Sequence, residues 1–313
     1  MSLIFACTTF LVLIILNHFV PECHGAGKFK PLENPTNYRR QYKPIQLIEW
    51  KYQCRANQCV RFNPNELSED ETVYNYVEGC KSICGPYGSL WPYPTGDTVI
   101  LPYLKAFNIE DIAVKFDTKD SDEFLEEHLT QAWSIFSQYL ALMKTEIKGH
   151  TNNKNAKTGG DKKSHVLVKI SVTSKNLDLS LKTNEDYSIS INTIVKEDKP
   201  RDEIIVVIHA NTFYGARHAL ESLSQLITYD PHEKCHKIPQ QVTLQDHPTY
   251  PYRGILLDTG RNYYSIDSIK RVIDAMSYNK LNVLHWHMNE QQSFPFVSER
   301  VPNLTRYGAY SAE

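Results

Sequence analysis

The side chains best suited to chemistry in this sequence follow two short apolar runs near its end. Asp258 and Arg261 come after residues 254–257, and His287 and Glu290 come after residues 281–284. An arginine presents a rigid fork of donors that can engage two adjacent hydroxyls. Polar groups at the carboxyl ends of parallel strands commonly form ligand sites. The pattern therefore predicts that ligands bind at this edge, although position at a strand end alone favours a surface role for Arg261.

Two histidines in the second run raise the question of a metal. His285 and His287 lie two residues apart on a strand and point to the same face, while Trp286 points to the other. No further Asp, Glu or His completes an evident ligand set in the sequence. Hydrogen-bonded histidines in the interior are therefore the favoured interpretation, and no metal is predicted.

The element between the two runs is a helix, predicted over residues 265–280 with Asp267 in its first turn. Its apolar residues recur at helical spacing: Ile266, Ile269, Val272, Ile273 and Met276. Strand, helix and strand make a βαβ unit, which must lie in a parallel sheet with both faces covered. Two strands do not close a barrel.

The preceding stretch, residues 89–244, has an α+β pattern. An amphipathic helix is predicted over residues 121–144, with Phe124 on its apolar face, and a second helix over residues 212–227. Strands are predicted over residues 165–172, 186–191 and 204–210, and a surface loop over residues 149–164. Residues 246–252, which contain two prolines, read as a linker.

Four segments of the sequence carry a family resemblance: SLWPYPTG (89–96), FYGARHALESLSQLI (213–227), RGILLDTGRNYY (253–264) and HWHMNEQQSFPF (285–296). Together they resemble glycoside hydrolase family 20, the β-N-acetylhexosaminidases, and most of all its insect chitin-degrading members. The resemblance covers most of residues 50–313. It implies a non-catalytic α+β domain over residues 87–245, followed by a truncated start (strand, helix, strand) of a (β/α)8 TIM barrel over residues 246–313.

The resemblance also assigns roles. Arg261 would clamp hydroxyls of the terminal sugar, with Arg253, Asp258 and His287 as supporting residues. Glu290 is the second substrate-binding residue that the resemblance implies. It stands where the family usually has Asp in H-W-H-x-x-D, and its extra methylene puts the placement of the Arg in question. The implied partner is an N-acetylglucosamine-containing oligosaccharide, with no cofactor and with a homodimer as a possible assembly of a full-length form.

Catalysis in the family is substrate-assisted, through the acetamido oxygen, with an Asp that orients the acetamide and an adjacent Glu as general acid. No adjacent acidic pair follows Arg253 here. No catalytic residue is therefore predicted within this chain. Two functions remain open: the amino-terminal part of a β-N-acetylhexosaminidase, or a truncated, inactive relative that binds carbohydrate or a partner. The abrupt stop after the second strand, before the next expected helix, favours an incomplete sequence.

Composition and the amino-terminal sequence indicate the number of domains, the classes of partner and the cellular location. With 313 residues, 41% of them hydrophobic, the chain can form about two domains. A net charge of −2 gives no reason to expect nucleic acid or an anionic membrane as partner. The apolar stretch 3–16 predicts a signal peptide over residues 1–25, and hence secretion; an uncleaved membrane anchor or a lysosomal location is the alternative. Asn303 begins a glycosylation sequon.

Cysteines organise a leader over residues 26–86. Its four cysteines, Cys54, Cys59, Cys80 and Cys84, predict two disulfides of undecided connectivity in a secreted chain. A four-cysteine zinc site is the alternative. Cys235 is left over.

Overall fold

The computed structural model describes residues 2–6, 50–63, 72–118, 122–146, 163–195 and 201–310. Most of the predicted signal peptide, the first half of the predicted leader and nearly all of the predicted loop 149–164 lie outside these residues. Among the described helices, none is both long and apolar enough to cross a membrane.

The described elements follow one another as thirteen strands and five helices. The strands are β1 (Ser2–Ala6), β2 (Lys51–Arg55), β3 (Gln58–Phe62), β4 (Thr98–Ile100), β5 (Leu104–Thr118), β6 (Ser164–Val172), β7 (Tyr187–Ile194), β8 (Glu203–Ala210), β9 (Thr228–Asp230), β10 (Cys235–Pro239), β11 (Gln241–Asp246), β12 (Gly254–Asp258) and β13 (Val283–His287). The helices are α1 (Val77–Lys81), α2 (Glu123–Glu146), α3 (Phe213–Leu226), α4 (Ile266–Tyr278) and α5 (Asn303–Gly308).

Eight strands form one mixed sheet in the order β4-β11-β7-β8-β6-β5-β10-β9. The three predicted strands are confirmed as β6, β7 and β8; β6 is parallel to β5 and β8, and β7 is antiparallel to β8. Side chains along β6 alternate between fully buried and partly exposed, because α2 and α3 cover one face of the sheet here and the other face is more exposed. The pattern predicted neither β5 nor the short edge strands, since β5 has a register shift that breaks its alternation.

The predicted amphipathic helix is confirmed as α2, although one of its residues was assigned wrongly. The buried stripe consists of Leu125, Leu129, Ala132, Phe136 and Leu140. Phe124 was placed on this face but is 62% exposed. It precedes Leu125 by one residue, and one step along a helix turns a side chain about 100° away from the stripe.

The described part of the leader is a stapled hairpin. Disulfides join Cys54 to Cys84 and Cys59 to Cys80, so all four cysteines are paired and none is left as a zinc ligand. Helix α1 contacts β9 of the large sheet, and two tyrosines that precede α1 add hydrogen bonds. The Tyr74 hydroxyl donates to the Pro102 carbonyl at 2.6 Å, and the Tyr76 hydroxyl hydrogen-bonds Thr228 at 2.9 Å.

The last part of the chain is the predicted βαβ unit. β12 and β13 pair in parallel, from Gly254 opposite Val283 to Asp258 opposite His287. Ser265 caps α4 by accepting a hydrogen bond from the Ser268 N–H at 3.2 Å. A small core of three residues holds the unit together: Leu257, Met276 and Leu284.

Two details of this unit differ from the sequence prediction. A short helix, α5, which the sequence did not predict, follows the second strand, and none of its residues is buried. Strand β1 also pairs antiparallel with the outer edge of β13. Cleavage of a signal peptide, which the sequence predicts, would remove β1 and expose that edge.

Candidate functional site

Three charged side chains meet at the carboxyl ends of β12 and β13, and we call Asp258, Arg261 and Glu290 the rim cluster. The Arg261 Nε donates to Asp258 Oδ2 at 2.6 Å, and its Nη2 lies 3.2 Å from Glu290 Oε1. Asp258 Oδ1 also accepts from the backbone N–H groups of Gly260 and Arg261, at 3.0 and 3.2 Å. The sequence placed Asp258 and Glu290 on different strand ends, and the parallel pairing brings both to one arginine.

Charge and exposure differ among these side chains. Burial works to raise the pKa of Asp258, but hydrogen bonds from Arg261 outweigh it and hold that pKa below its usual value. The same hydrogen bond raises the pKa of Arg261. The Arg261 side chain is 62% exposed, against 19% for Asp258 and 26% for Glu290. Two carboxylates thus hold one exposed, permanently charged guanidinium in place.

The histidines of β13 behave differently from each other. His287 Nε2 lies 2.9 Å from Glu290 Oε1, and Thr259 donates its backbone N–H to the His287 carbonyl at 2.9 Å. His287 therefore supports Glu290 directly. His285 was expected to be hydrogen-bonded as well, but its Nε2 is buried with no partner among the described residues. The Trp286 indole donates to the Thr259 hydroxyl at 2.8 Å, away from the histidine face.

Two carboxylates of the rim cluster and the neighbouring His287 form a set of three side chains of metal-ligand type. One ligand atom each from Asp258, His287 and Glu290 lies within 4.8 Å of the others. The sequence alone did not reveal this set, because Asp258 is 29 residues away from His287. Arg261 already provides the positive charge that both carboxylates face, so an added cation would compete with it.

Arg253, which the sequence predicted as a supporting residue, lies away from the rim cluster. It lies at the amino end of β12, whereas Asp258 ends that strand. Its guanidinium pairs with Glu185, and its Nε donates to the Lys280 carbonyl at 2.8 Å. A strand extends about 3.3 Å per residue, so five residues separate Arg253 from the rim by about 16 Å.

Arg253 instead belongs to a buried polar contact between the βαβ unit and the eight-stranded sheet, here called the junction. Glu185 pairs with both Arg253 and the His218 imidazole, the latter at 2.7 Å. Burial lowers the pKa of His218 to about 4, so it is neutral at pH 7. Burial works to raise the pKa of Glu185, but His218 and Arg253 outweigh it and lower that pKa.

A second buried pair completes the junction. Lys280 donates to Asp246 Oδ2 at 2.9 Å and to the Tyr187 hydroxyl at 2.7 Å, and Tyr187 in turn donates to Asp246 at 2.6 Å. Burial lowers the pKa of Lys280 despite the opposing charge of Asp246. Sequence reasoning missed this pair. The local sequence shows only an aspartate, Asp246, at the start of the proline-containing linker. No local pattern could reveal its partners, because Lys280 lies 34 residues from Asp246 and 93 residues from Tyr187.

Two asparagines of the last part of the chain differ in their surroundings. Asn289 is 5% exposed, and neither polar atom of its amide has a partner among the described residues. Asn303, the predicted glycosylation site, is exposed at the first turn of α5, and the Thr305 hydroxyl of its sequon donates to the Phe296 carbonyl at 2.6 Å.

Comparison with known proteins finds family matches over two parts of the chain. Residues 250–313 match "Glycosyl hydrolase family 20, catalytic domain", and residues 90–226 match "beta-acetyl hexosaminidase like". A chitooligosaccharidolytic beta-N-acetylglucosaminidase of Bombyx mori is 39% identical over 84% of this chain and 41% of the relative. That of Ostrinia furnacalis is 37% identical over 85% of this chain and 42% of the relative.

Among solved structures, a chitobiase of Flavobacterium johnsoniae is similar with a TM-score of 0.48 and 25% identity, over 71% of this chain and 31% of that chain. The chain spans about two-fifths of the length of the two curated relatives.

Proposed function

This chain belongs to glycoside hydrolase family 20 through its residues 90–226 and 250–313, and on that premise we propose that it supplies the sugar-binding arginine of a β-N-acetylhexosaminidase. The substrate we propose is a terminal, non-reducing N-acetylglucosamine unit of a chitin oligosaccharide or glycan. Both insect relatives carry chitooligosaccharidolytic names, which supports the oligosaccharide class.

The observation that carries the proposal is the placement of Arg261 in the rim cluster. Asp258 and Glu290 engage its Nε and Nη2, and its side chain is 62% exposed, so further donors remain accessible to a ligand. A guanidinium fixed from two sides loses little conformational freedom when it binds. It can therefore donate to two neighbouring hydroxyls of one sugar ring with defined geometry.

Glu290 matters for this placement because it is one methylene longer than the usual aspartate. It reaches Arg261 while His287 holds the same carboxylate oxygen. The turn after it is short, since Glu290 and Ser293 exchange backbone hydrogen bonds at 2.8 and 3.3 Å. We propose that this turn accommodates the longer side chain and keeps the carboxylate in contact with the arginine.

The chemical step needs groups beyond the rim cluster. In the substrate-assisted scheme the acetamido oxygen attacks the anomeric carbon, one Asp orients the acetamide and a neighbouring Glu protonates the leaving oxygen. No adjacent acidic pair follows Arg253 in these 313 residues. We therefore propose that the chain as given binds the sugar without hydrolysing it, and that the acidic pair belongs to sequence beyond it. Secretion through the apolar stretch 3–16 is part of the same proposal.

A binding experiment with a matched control tests the role of Arg261. Binding of N-acetylglucosamine to the 313-residue chain should weaken about tenfold or more in Arg261→Ala, because a charge-assisted donor pair is lost. Arg261→Lys should restore little, since an ammonium lacks the fork. Arg271→Ala removes another exposed arginine, on α4, and should leave binding unchanged. Equal affinity of Arg261→Ala and the parent chain would refute the assignment.

Hydrolysis of a chromogenic N-acetylglucosaminide distinguishes binding from catalysis. The parent chain should give no turnover above a mock purification, because the general acid is missing. Turnover that a substitution within these residues abolishes would contradict the proposal. Sequencing the 3′ end of the transcript would establish whether an open frame continues past Glu313, which separates an enzyme's amino-terminal part from a binding-only relative.

A further inference from the structure

A cavity of about 400 Å³ opens at one end of the eight-stranded sheet, which is not the sheet that carries Arg261. The parallel strands β6 and β8 end there, and the residues directly after them, Thr173 and Asn211, line the cavity. Ligands of open α/β sheets commonly bind beyond the carboxyl ends of parallel strands. The volume falls within the roughly 300–1,000 Å³ of small-molecule sites.

Three polar side chains form a row along the cavity. His209, Ser188 and Gln245 lie directly opposite one another on β8, β7 and β11. Neighbouring strands are about 4.8 Å apart, so an imidazole, a hydroxyl and an amide follow at regular intervals. The preceding residue on β7, Tyr187, turns the other way and contacts Ser222 of α3. The row therefore lies on the open face of the sheet, away from the helices.

The wall beside this row is held in place by contacts within the protein. The Thr95 hydroxyl donates to the His247 carbonyl at 2.6 Å and lies 3.1 Å from His247 Nδ1. A Cβ at Gly96 would lie 2.7 Å from the Gln245 carbonyl oxygen, so the loop can approach the sheet this closely only with glycine there. A wall with few free rotations loses little entropy on binding, which favours a ligand.

The charges of the lining select the ligand class. None of the described residues that line the cavity is Lys or Arg, while Asp186 and Asp246 are acidic. Asp246 is neutralised by Lys280. An anion would therefore meet carboxylates and no facing cation, whereas hydroxyls can both donate to the carboxylates and accept from the amides and imidazoles. We propose that this cavity is a second carbohydrate-binding site, which takes a neutral sugar unit on the open face of the α+β part of the chain.

Saturation-transfer NMR on the 313-residue chain, with N-acetylglucosamine and its β-linked trimer as probes, tests this site. The measurement is made in Arg261→Ala, so that the rim cluster does not contribute. Gln245→Ala and His209→Ala should each weaken binding about fivefold, the effect of one lost hydrogen bond. Gln241→Ala is the matched control for the amide, since it is exposed on the same face of β11 outside the cavity. His165→Ala, on the same face of β6, is the matched control for the imidazole.

Two results would overturn the inference. One is the absence of saturation transfer to either probe in Arg261→Ala. The other is transfer that Gln245→Ala and His209→Ala reduce no more than their controls do. Neither result touches the role of Arg261, which is measured by the difference between the parent chain and Arg261→Ala.

Discussion

Asp246→Asn should destabilise this protein strongly, because it removes the charge that holds Lys280 in the junction. Both residues are buried, at 8% and 7% exposure. Asp246 accepts from Lys280 at 2.9 Å, from Tyr187 at 2.6 Å and from the Thr95 N–H at 3.1 Å. Asparagine keeps an oxygen for Thr95 but leaves the ammonium with the Tyr187 hydroxyl as its remaining close partner among those described.

The magnitude follows from the cost of an uncompensated buried charge. Breaking a buried pair by removing one partner costs about 3–5 kcal/mol. The low end applies here, because the nearby Glu221 also attracts Lys280 and the amide retains part of the hydrogen bonding. We therefore expect Asp246→Asn to lower the free energy of unfolding by about 3 kcal/mol. Lys280→Met removes the buried cation, so the double variant should be less destabilised than the sum of the two, by about 1 kcal/mol or more.

Urea unfolding of the 313-residue chain at pH 7, followed by tryptophan fluorescence, measures these differences. Asp178→Asn, an exposed aspartate, is the matched control and should change stability by less than about 0.5 kcal/mol. A loss below about 1 kcal/mol for Asp246→Asn, or strict additivity in the double variant, would refute the description of this contact as a coupled buried ion pair.

Three further predictions concern pH, disulfides and the orphan amide. The pKa of His218 is lowered to about 4 in the folded chain, so the unfolded chain takes up a proton first as pH falls below about 6.5. The free energy of unfolding should therefore fall by about 2 kcal/mol from pH 7.5 to pH 5. His218→Gln should flatten this part of a profile of urea midpoint against pH. Non-reducing peptide mapping should recover Cys54 linked to Cys84 and Cys59 linked to Cys80, and the double variant Cys59→Ser with Cys80→Ser should cost about 3 kcal/mol; free thiols at these positions would contradict the pairing. Asn289→Leu, close to isosteric, should raise the thermal midpoint, because an unpaired buried amide costs about 1–3 kcal/mol; a lowered midpoint would mean that the amide has a partner.

The sequence by itself determined the local elements and the identity of the rim residues. Helical spacing indicated α2 and α4, and alternation indicated β6, β7 and β8, because each pattern is a property of neighbouring residues along the chain. The order of strand, helix and strand along the chain also implied that two parallel strands precede four polar residues: Asp258, Arg261, His287 and Glu290. The sugar-binding role of Arg261 came from the family resemblance, because the spacing of residues does not indicate it.

Only the tertiary structure decided which of these residues meet. Arg253 belongs to the same sequence motif as Arg261, yet it lies at the opposite end of β12 and pairs with Glu185, 68 residues earlier. Asp246, Lys280 and Tyr187 come from three separate elements, and the row of His209, Ser188 and Gln245 exists only through strand register. Local patterns report the period of side chains along one element, whereas ion pairs and cavities depend on how elements pack, and that packing is decided by burial summed over the whole core.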